Sequence, residues 1–93
     1  MFEIRRSEDS ISLHGRFDAA QTDAASDLLE EVTESATLDF TELDYISSAG
    51  LGILLATQKR LMAGGHGLRL IHLNPHIREI FEMAGFTRIF EIE

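Results

Sequence analysis

The 93-residue sequence contains no cysteine, no tryptophan and a single proline. Without cysteine, the chain can form no disulfide and offers no thiol for catalysis, which is compatible with a reducing compartment. No apolar run is long enough to cross a bilayer, and the first residues have neither the apolar segment nor the cleavage site of a signal peptide. We therefore expect a cytoplasmic protein that does not insert into a membrane.

Basic residues are also scarce. The sequence has 8 Lys and Arg against 16 Asp and Glu, for a formal net charge of −8. Residues 1–47 carry 12 acidic and 3 basic residues, whereas residues 48–93 carry 4 and 5. Binding to nucleic-acid phosphates needs a basic face, so we expect no nucleic-acid partner. The acidic residues form either a solvated surface or a field that steers a basic partner.

The common motifs of catalytic and cofactor sites are absent from the sequence. None of the four histidines has the i, i+4 helical pairing or the cysteine neighbours that zinc sites use. No Gly-x-Ser-x-Gly elbow is present, and the glycines of residues 64–67 follow a predicted helix, whereas a phosphate-binding loop precedes one. We therefore predict no metal, no cofactor, no small-molecule substrate and no catalytic residue.

The apolar pattern predicts one domain over residues 1–93, built from alternating strands and helices. Residues 15–18 are expected to form a loop, and Thr22 or Asp23 is expected to cap the first helix. The predicted strands are near 2–4, 11–13, 36–40, 68–73 and 89–92, and the predicted helices are near 24–32, 48–63 and 75–84. Because alternating strands and helices pair their strands in parallel, we predict an α/β fold with a mixed, mostly parallel β-sheet and packed helices.

Residues 38–52, LDFTELDYISSAGLG, form the most informative segment of the chain. Ser47 and Ser48 follow an apolar pair directly, and helical spacing of apolar residues begins at Leu51. A serine at a helix start can accept hydrogen bonds from the free amides of the first turn. The same amides would favour a phosphate on that serine. Ser48 is therefore either a helix cap or a phosphorylation switch.

This segment resembles the core motif of STAS domains, the bacterial anti-sigma factor antagonists. The family pattern is an apolar strand, a short polar loop, an apolar pair, Asp-Ser-(Ser/Thr)-Gly-Leu-Gly and then a helix. In this chain Ser47 replaces the Asp, and Ala49 replaces the second Ser/Thr. Residues 15–18 are similar to the family's Gly-x-apolar-Asp, and residues 81–86 to its closing helix and turn. The resemblance implies a STAS-like domain over nearly the whole chain.

The same resemblance implies a function in partner switching. The first serine of the family motif, which corresponds to Ser48, is the residue that an anti-sigma factor kinase phosphorylates. The unphosphorylated chain would bind this anti-sigma factor serine kinase, phosphorylation would release it, and a serine phosphatase would reset the switch. Ser47 is the second candidate for the phosphate acceptor. The chain itself would be a substrate and not an enzyme.

Several residues near Ser48 are predicted to contact the partner. Asp18 and Asp39 each follow an apolar segment, and we expect them at strand ends close to Ser48, where open α/β sheets place their sites. The alternative for Asp39 is a carboxylate that caps a turn. The remaining predicted contact residues are Ser47, Ala49, Gly50, Leu51 and Gly52.

A second function stays open at this point. Small STAS subunits of ABC-type lipid transporters bind the ATPase of the transporter, and some carry a (Ser/Thr)-Ala-Gly-Leu motif. Residues 48–51 of this chain have that sequence.

Overall fold

The computed structural model describes residues 2–8 and 10–93, so Met1 and Asp9 lie outside it. The strands are β1 (Phe2–Ser7), β2 (Ser10–Phe17), β3 (Ala36–Ile46), β4 (Leu68–Ile71) and β5 (Glu91–Ile92). The α-helices are α1 (Thr22–Leu29), α2 (Ser48–Ala63) and α3 (Pro75–Met83). Two short 3₁₀ turns, Ala19–Gln21 and Phe86–Arg88, precede α1 and follow α3.

All five strands form one sheet in the order β1-β2-β3-β4-β5. The first pair is antiparallel and the other three pairs are parallel, so the prediction of a mixed, mostly parallel sheet is confirmed. One helix connects each parallel pair, and right-handed crossovers between strands in sequence order place all three helices on the same face. Within the described residues, no helix has the length and apolar character needed to cross a membrane.

The two faces of the sheet differ in chemistry. Along β3, Leu38 and Phe40 are fully buried, whereas Asp39 and Thr41 on the opposite face are at least partly exposed. Phe40 belongs to an aromatic cluster centred on Phe81 of α3, whose ring centroid is 5.8–6.0 Å from three other phenylalanine rings. The helices therefore cover an apolar face, and the other face presents polar side chains to solvent.

Three strands are longer than the sequence pattern indicated, and the first of them, β1, runs to Ser7 instead of ending near residue 4. The family pattern implies a short polar loop after the strand predicted near 36–40, but β3 runs on through residues 41–44, and Glu42 pairs with His14 of β2. The loop prediction was wrong because the solvent-exposed face of this strand tolerates polar residues, which interrupts the apolar pattern. Gly15 also lies within β2 and not in a loop. Its positive φ of 85° lies where the β2–β3 register shifts, as in a bulge.

The other differences concern element ends. β4 stops at Ile71, before the predicted end at residue 73, because His72 has a left-handed φ of 62° and leaves the strand. The chain after α3 forms a 3₁₀ turn before the short β5. Neither Thr22 nor Asp23 caps α1, because the chain enters this helix through the first 3₁₀ turn. Asn74 caps α3, because its side chain accepts a hydrogen bond from the Ile77 amide.

Candidate functional site

Ser47 caps α2 and ties it to the sheet. Its Oγ accepts a hydrogen bond from the Gly50 amide at 3.1 Å. Its own amide donates to the carbonyl of Phe17 at the end of β2 (2.9 Å), and its carbonyl accepts from the Leu51 amide (2.9 Å). The interpretation of Ser48 as the cap is therefore wrong by one residue, and Ser47 has the structural role.

Ser48 is the first residue of α2 and is exposed to solvent. Because the cap bond comes from Ser47, the helix start does not depend on the hydroxyl of Ser48. The hydroxyl lies at the positive end of a 16-residue helix, where the helix dipole favours negative charge. Ser48 is therefore accessible and can be modified without loss of the cap bond, whereas modification of the Ser47 hydroxyl would disrupt that bond.

The two glycines of the motif also differ. Gly50 is buried, and a Cβ at this position would lie 3.0 Å from both Ile46 Cγ1 and the carbonyl oxygen of Phe17. The first turn of α2 can therefore approach β2 and β3 only with a glycine here. A Cβ at Gly52 would have no heavy atom of the described chain within 4 Å other than those of its chain neighbours and the adjacent helix backbone. Packing within the described chain therefore does not require a glycine at position 52.

The outward side of α2 forms an exposed stripe that starts at Ser48. Members of this stripe follow helical spacing and are all exposed. They are Ser48, Gly52, Ala56, Lys59, Met62 and Ala63. Apart from Ser48 and the single lysine the stripe is apolar, and Met62 is 54% exposed. Although the protein has a net charge of −8, α2 contains no acidic residue.

Asp18 lies at the same edge of the sheet as the two serines. It directly follows Phe17, whose carbonyl is bonded to the Ser47 amide. Its Oδ1 accepts a hydrogen bond from the Ala20 amide at 3.0 Å and thereby caps the 3₁₀ turn before α1. Asp18 therefore has a structural bond of its own and is also close to the start of α2.

Asp39 is not brought together with Ser48. It lies opposite Ile71, the last residue of β4, while β3 continues for seven more residues. β2 covers the stretch from Asp39 to Ile46 in five steps, from Ser12 to Phe17. At a rise of roughly 3.3 Å per residue, Asp39 is therefore about 20 Å from Ser47 along the strand direction. The expectation that Asp39 reaches Ser48 is therefore wrong, because β3 extends far beyond the end of its neighbour.

Asp39 belongs instead to a small polar cluster on the solvent-exposed face of the sheet. Its Oδ1 accepts hydrogen bonds from the amide and hydroxyl of Thr41 (2.9 and 2.5 Å), and lies 3.1 Å from Nδ1 of His72. Burial by itself would raise the pKa of Asp39, but the Thr41 hydrogen bonds and the His72 contact together lower it. Asp39 bonds to the amide two residues on, as the turn-capping alternative expected, but it does so within β3 and not at a turn.

Two contacts near α2 were not predicted from the sequence. Gln58, only 4% exposed, accepts the Leu68 amide (2.7 Å) and donates to the Ile89 carbonyl (2.6 Å). The sequence signal for the burial of Gln58 was its position in the apolar helical pattern.

The guanidinium of Arg16 lies 4.2 Å from the ring centroid of Tyr45, its register partner across β2 and β3. This pair depends on strand register, which the sequence pattern did not reveal.

Comparisons with known proteins show similarity over most of the chain. A family model described as "Mlab, STAS domain" matches residues 1–91. The anti-sigma-B factor antagonist of Listeria monocytogenes is 32% identical over 87 residues, which cover 89% of this chain and 76% of that protein. BtrV of Bordetella bronchiseptica, provisionally named as an anti-sigma factor antagonist, is 49% identical over 55 residues. That alignment covers 59% of this chain but only about half, 47%, of BtrV.

The fold is also shared with solved structures. The phosphorylated form of the Bacillus cell fate determinant SpoIIAA superimposes with a TM-score of 0.72 at 18% sequence identity. The superposition covers 100% of this chain and 91% of that protein. At this identity the match establishes a common fold.

Proposed function

The chain belongs to the STAS domain family, and from this membership we propose that it is an anti-sigma factor antagonist that acts by partner switching. In its unphosphorylated form it binds an anti-sigma factor that is also a serine kinase, and so frees the sigma factor. Phosphorylation of Ser48 releases the kinase, and a serine phosphatase restores the binding form. The chain acts in the cytoplasm as a binding protein and kinase substrate, and contributes no catalytic group.

The observation that carries this proposal is the division of roles between the two serines. Ser47 holds the helix start through its bond to the Gly50 amide, and Ser48 is exposed beside it. A phosphate on Ser48 adds about −1.5 to −2 charges at neutral pH without breaking the cap. The fold can therefore persist in both states while the charge of the surface changes.

We assign the kinase-binding surface to the exposed stripe of α2 and the adjacent edge of the sheet. Leu51, Gly52 and Ala49 would contribute contacts from the helix, and Asp18 from the end of β2. Ser47 and the buried Gly50 fix the position of the first turn of α2, and so of this surface, relative to the sheet. Asp39 is excluded from this surface because of its distance along β3. The α2 part of this surface contains no acidic residue, and a phosphate would place negative charge in it, which costs several kcal/mol when it is desolvated in a complex.

The relatives support the direction of this proposal. The Listeria relative, which is 32% identical, is named an antagonist of anti-sigma-B factor. The similarly folded Bacillus protein is described in a phosphorylated form. In this chain the motif serine that corresponds to the family's acceptor is accessible, as phosphorylation requires.

Binding of two Ser48 variants to the kinase partner tests the proposal. Ser48→Asp introduces a negative charge at the interface, so affinity should fall at least about tenfold, or roughly 1.4 kcal/mol. Ser48→Ala should bind as tightly as the wild type but resist release by ATP. Both affinities can be measured by titration calorimetry, with thermal melts to verify folding. Wild-type affinity for Ser48→Asp would contradict the switch.

The phosphate acceptor is identified in a separate experiment. After incubation with the kinase and ATP, peptide mass mapping should find the phosphate on Ser48. Phosphate on Ser47 alone would move the acceptor by one residue. No phosphate on either serine, together with binding to the ATPase of an ABC-type transporter, would replace this proposal with the transporter-subunit function.

A further inference from the structure

The side chain of Arg16 packs over an aromatic ring near the start of α2. Its guanidinium carbon lies 4.2 Å above the ring centroid of Tyr45, a cation–π contact across β2 and β3. Both side chains alternate with buried neighbours, Phe17 and Ile46, and therefore lie on the solvent-exposed face of the sheet. A guanidinium that lies over an aromatic ring can still donate its N–H groups to an acceptor at its edge.

Among the described residues, Arg16 also forms no ion pair with an acidic side chain. Residues 7–58 contain 11 acidic residues and only this one base. The ion pairs of residues 2–8 and 10–93 join Arg5 to Glu3, Arg69 to Glu93 and His72 to Asp39. Arg16 therefore has no carboxylate partner within the part of the chain that the structure describes, although its sequence surroundings are strongly acidic.

The backbone places Arg16 close to Ser48. Arg16 pairs with Tyr45, and the next residue, Phe17, accepts the hydrogen bond of the Ser47 amide. Ser48 lies one strand spacing, about 4.8 Å, to the side of Arg16 and three residues, at most about 10 Å, farther along the strand direction. Because Arg16 lies on the face opposite the helices, its side chain would reach Ser48 around the end of the sheet. An extended arginine side chain and a phosphoserine can meet across that separation.

We propose that Arg16 is the residue that binds the phosphate group after Ser48 is phosphorylated. This inference rests on the proposed function, since it assumes a phosphate on Ser48. The guanidinium would offer two parallel N–H groups to two phosphate oxygens, the geometry that arginine favours with phosphate. Tyr45 positions the guanidinium in the unphosphorylated state. The phosphate would otherwise face Asp18 and Asp44, the acidic residues nearest to it in the two strands, without a compensating charge.

The test uses protein that carries phosphoserine at position 48, inserted during translation, so that no kinase is required. Phosphorus NMR follows the titration of the phosphate, whose second pKa in phosphoserine is about 6. A nearby guanidinium stabilises the dianion and lowers this pKa. In Arg16→Gln we therefore expect the titration midpoint to move to higher pH. Arg88→Gln is the matched control, because Arg88 lies beside Ala36 at the opposite end of β3, and its midpoint should not move.

A second readout does not require a variant. In the wild-type background, the Nε–H resonance of Arg16 should shift when phosphoserine replaces Ser48, because a new hydrogen bond forms. An unchanged resonance would overturn the proposal even if Arg16→Gln failed to fold. Equal midpoints in wild type and Arg16→Gln, or equal shifts in both arginine variants, would also overturn it. Failure of the kinase to label Ser48 would contradict the proposed function but leave this measurement valid.

Discussion

Ser47 and Ser48 are adjacent residues with the same side chain, but only Ser47 is bonded into the helix start. We predict that Ser47→Ala lowers the free energy of unfolding by about 1 kcal/mol, the typical loss of an N-cap. Ser48→Ala should change it by less than about 0.5 kcal/mol, as is usual for an exposed position. Urea denaturation of the two variants measures the difference. Equal losses would contradict the assignment of the cap to Ser47.

The polar cluster around Asp39 predicts a pH dependence of stability. Because the pKa of Asp39 is lowered in the folded state, its ionised form stabilises the fold. This contribution is complete above the unfolded-state pKa, about 3.9, and is lost as the pH falls through the lower folded-state value. The difference in free energy of unfolding between wild type and Asp39→Asn should therefore be largest near neutral pH and shrink in acid.

Thr41→Val provides the matched control for the Asp39 experiment. It removes the hydroxyl that donates to Asp39 but keeps the carboxylate and the strand, since valine is well suited to β-structure. The acid-dependent part of the stability should become smaller in this variant. Urea unfolding at a series of pH values measures it. A stability difference between wild type and Asp39→Asn that does not vary with pH would contradict the role of the lowered pKa.

At the scale of elements, the first turn of α2 contains two glycines with opposite predicted effects. Gly50→Ala places a Cβ 3.0 Å from Ile46 and from the Phe17 carbonyl, so it should destabilise the protein by about 1–3 kcal/mol. The Cβ of Gly52→Ala meets no atom of the described chain beyond the adjacent helix backbone and chain neighbours, so this variant should stabilise the helix by about 0.5–1 kcal/mol. Thermal unfolding measures both changes.

Gly52→Ala also separates folding from binding. If a partner packs closely against the stripe of α2, the added methyl group should weaken binding to the kinase although the domain becomes more stable. Ala56→Ser, a change of similar size farther along the same stripe, serves as the comparison. Undiminished affinity for Gly52→Ala would show that the partner does not approach the helix at this turn.

The sequence predicted elements best where local chemistry sets their limits. The Asn74-Pro75 pair marks the start of α3, because the asparagine side chain caps the helix and the proline begins it. The extent of β3 was underestimated, since its polar residues owe their strand conformation to pairing with β2. The distance between Asp39 and Ser48 follows from this extent. It could not be obtained from local patterns, because it depends on where neighbouring strands stop.

At the scale of the whole molecule, the core depends on one central ring. Phe81 is fully buried and contacts Phe40, Phe86 and Phe90 in edge-on geometry. Phe81→Ala should lower the free energy of unfolding by about 3–5 kcal/mol. This is a large share of the roughly 5–15 kcal/mol that stabilises a typical domain. Calorimetric melting measures the loss, and a midpoint like that of the wild type would contradict the central position of this ring.

The strand order has a consequence for how the chain folds. Each strand pairs with its neighbour in the sequence, and each parallel pair requires closure of a connection that contains a single helix. Each strand can pair with the strand before it without a later segment of the chain. The entropy cost of loop closure is therefore divided among several connections. The parallel pairs still join residues that are distant in sequence, such as Ala36 with Leu68 and Ser10 with Thr37, and non-local pairing of this kind is slower than the formation of local contacts. We therefore expect the sheet to assemble progressively from the β1–β2 hairpin, in the direction in which the ribosome delivers the chain.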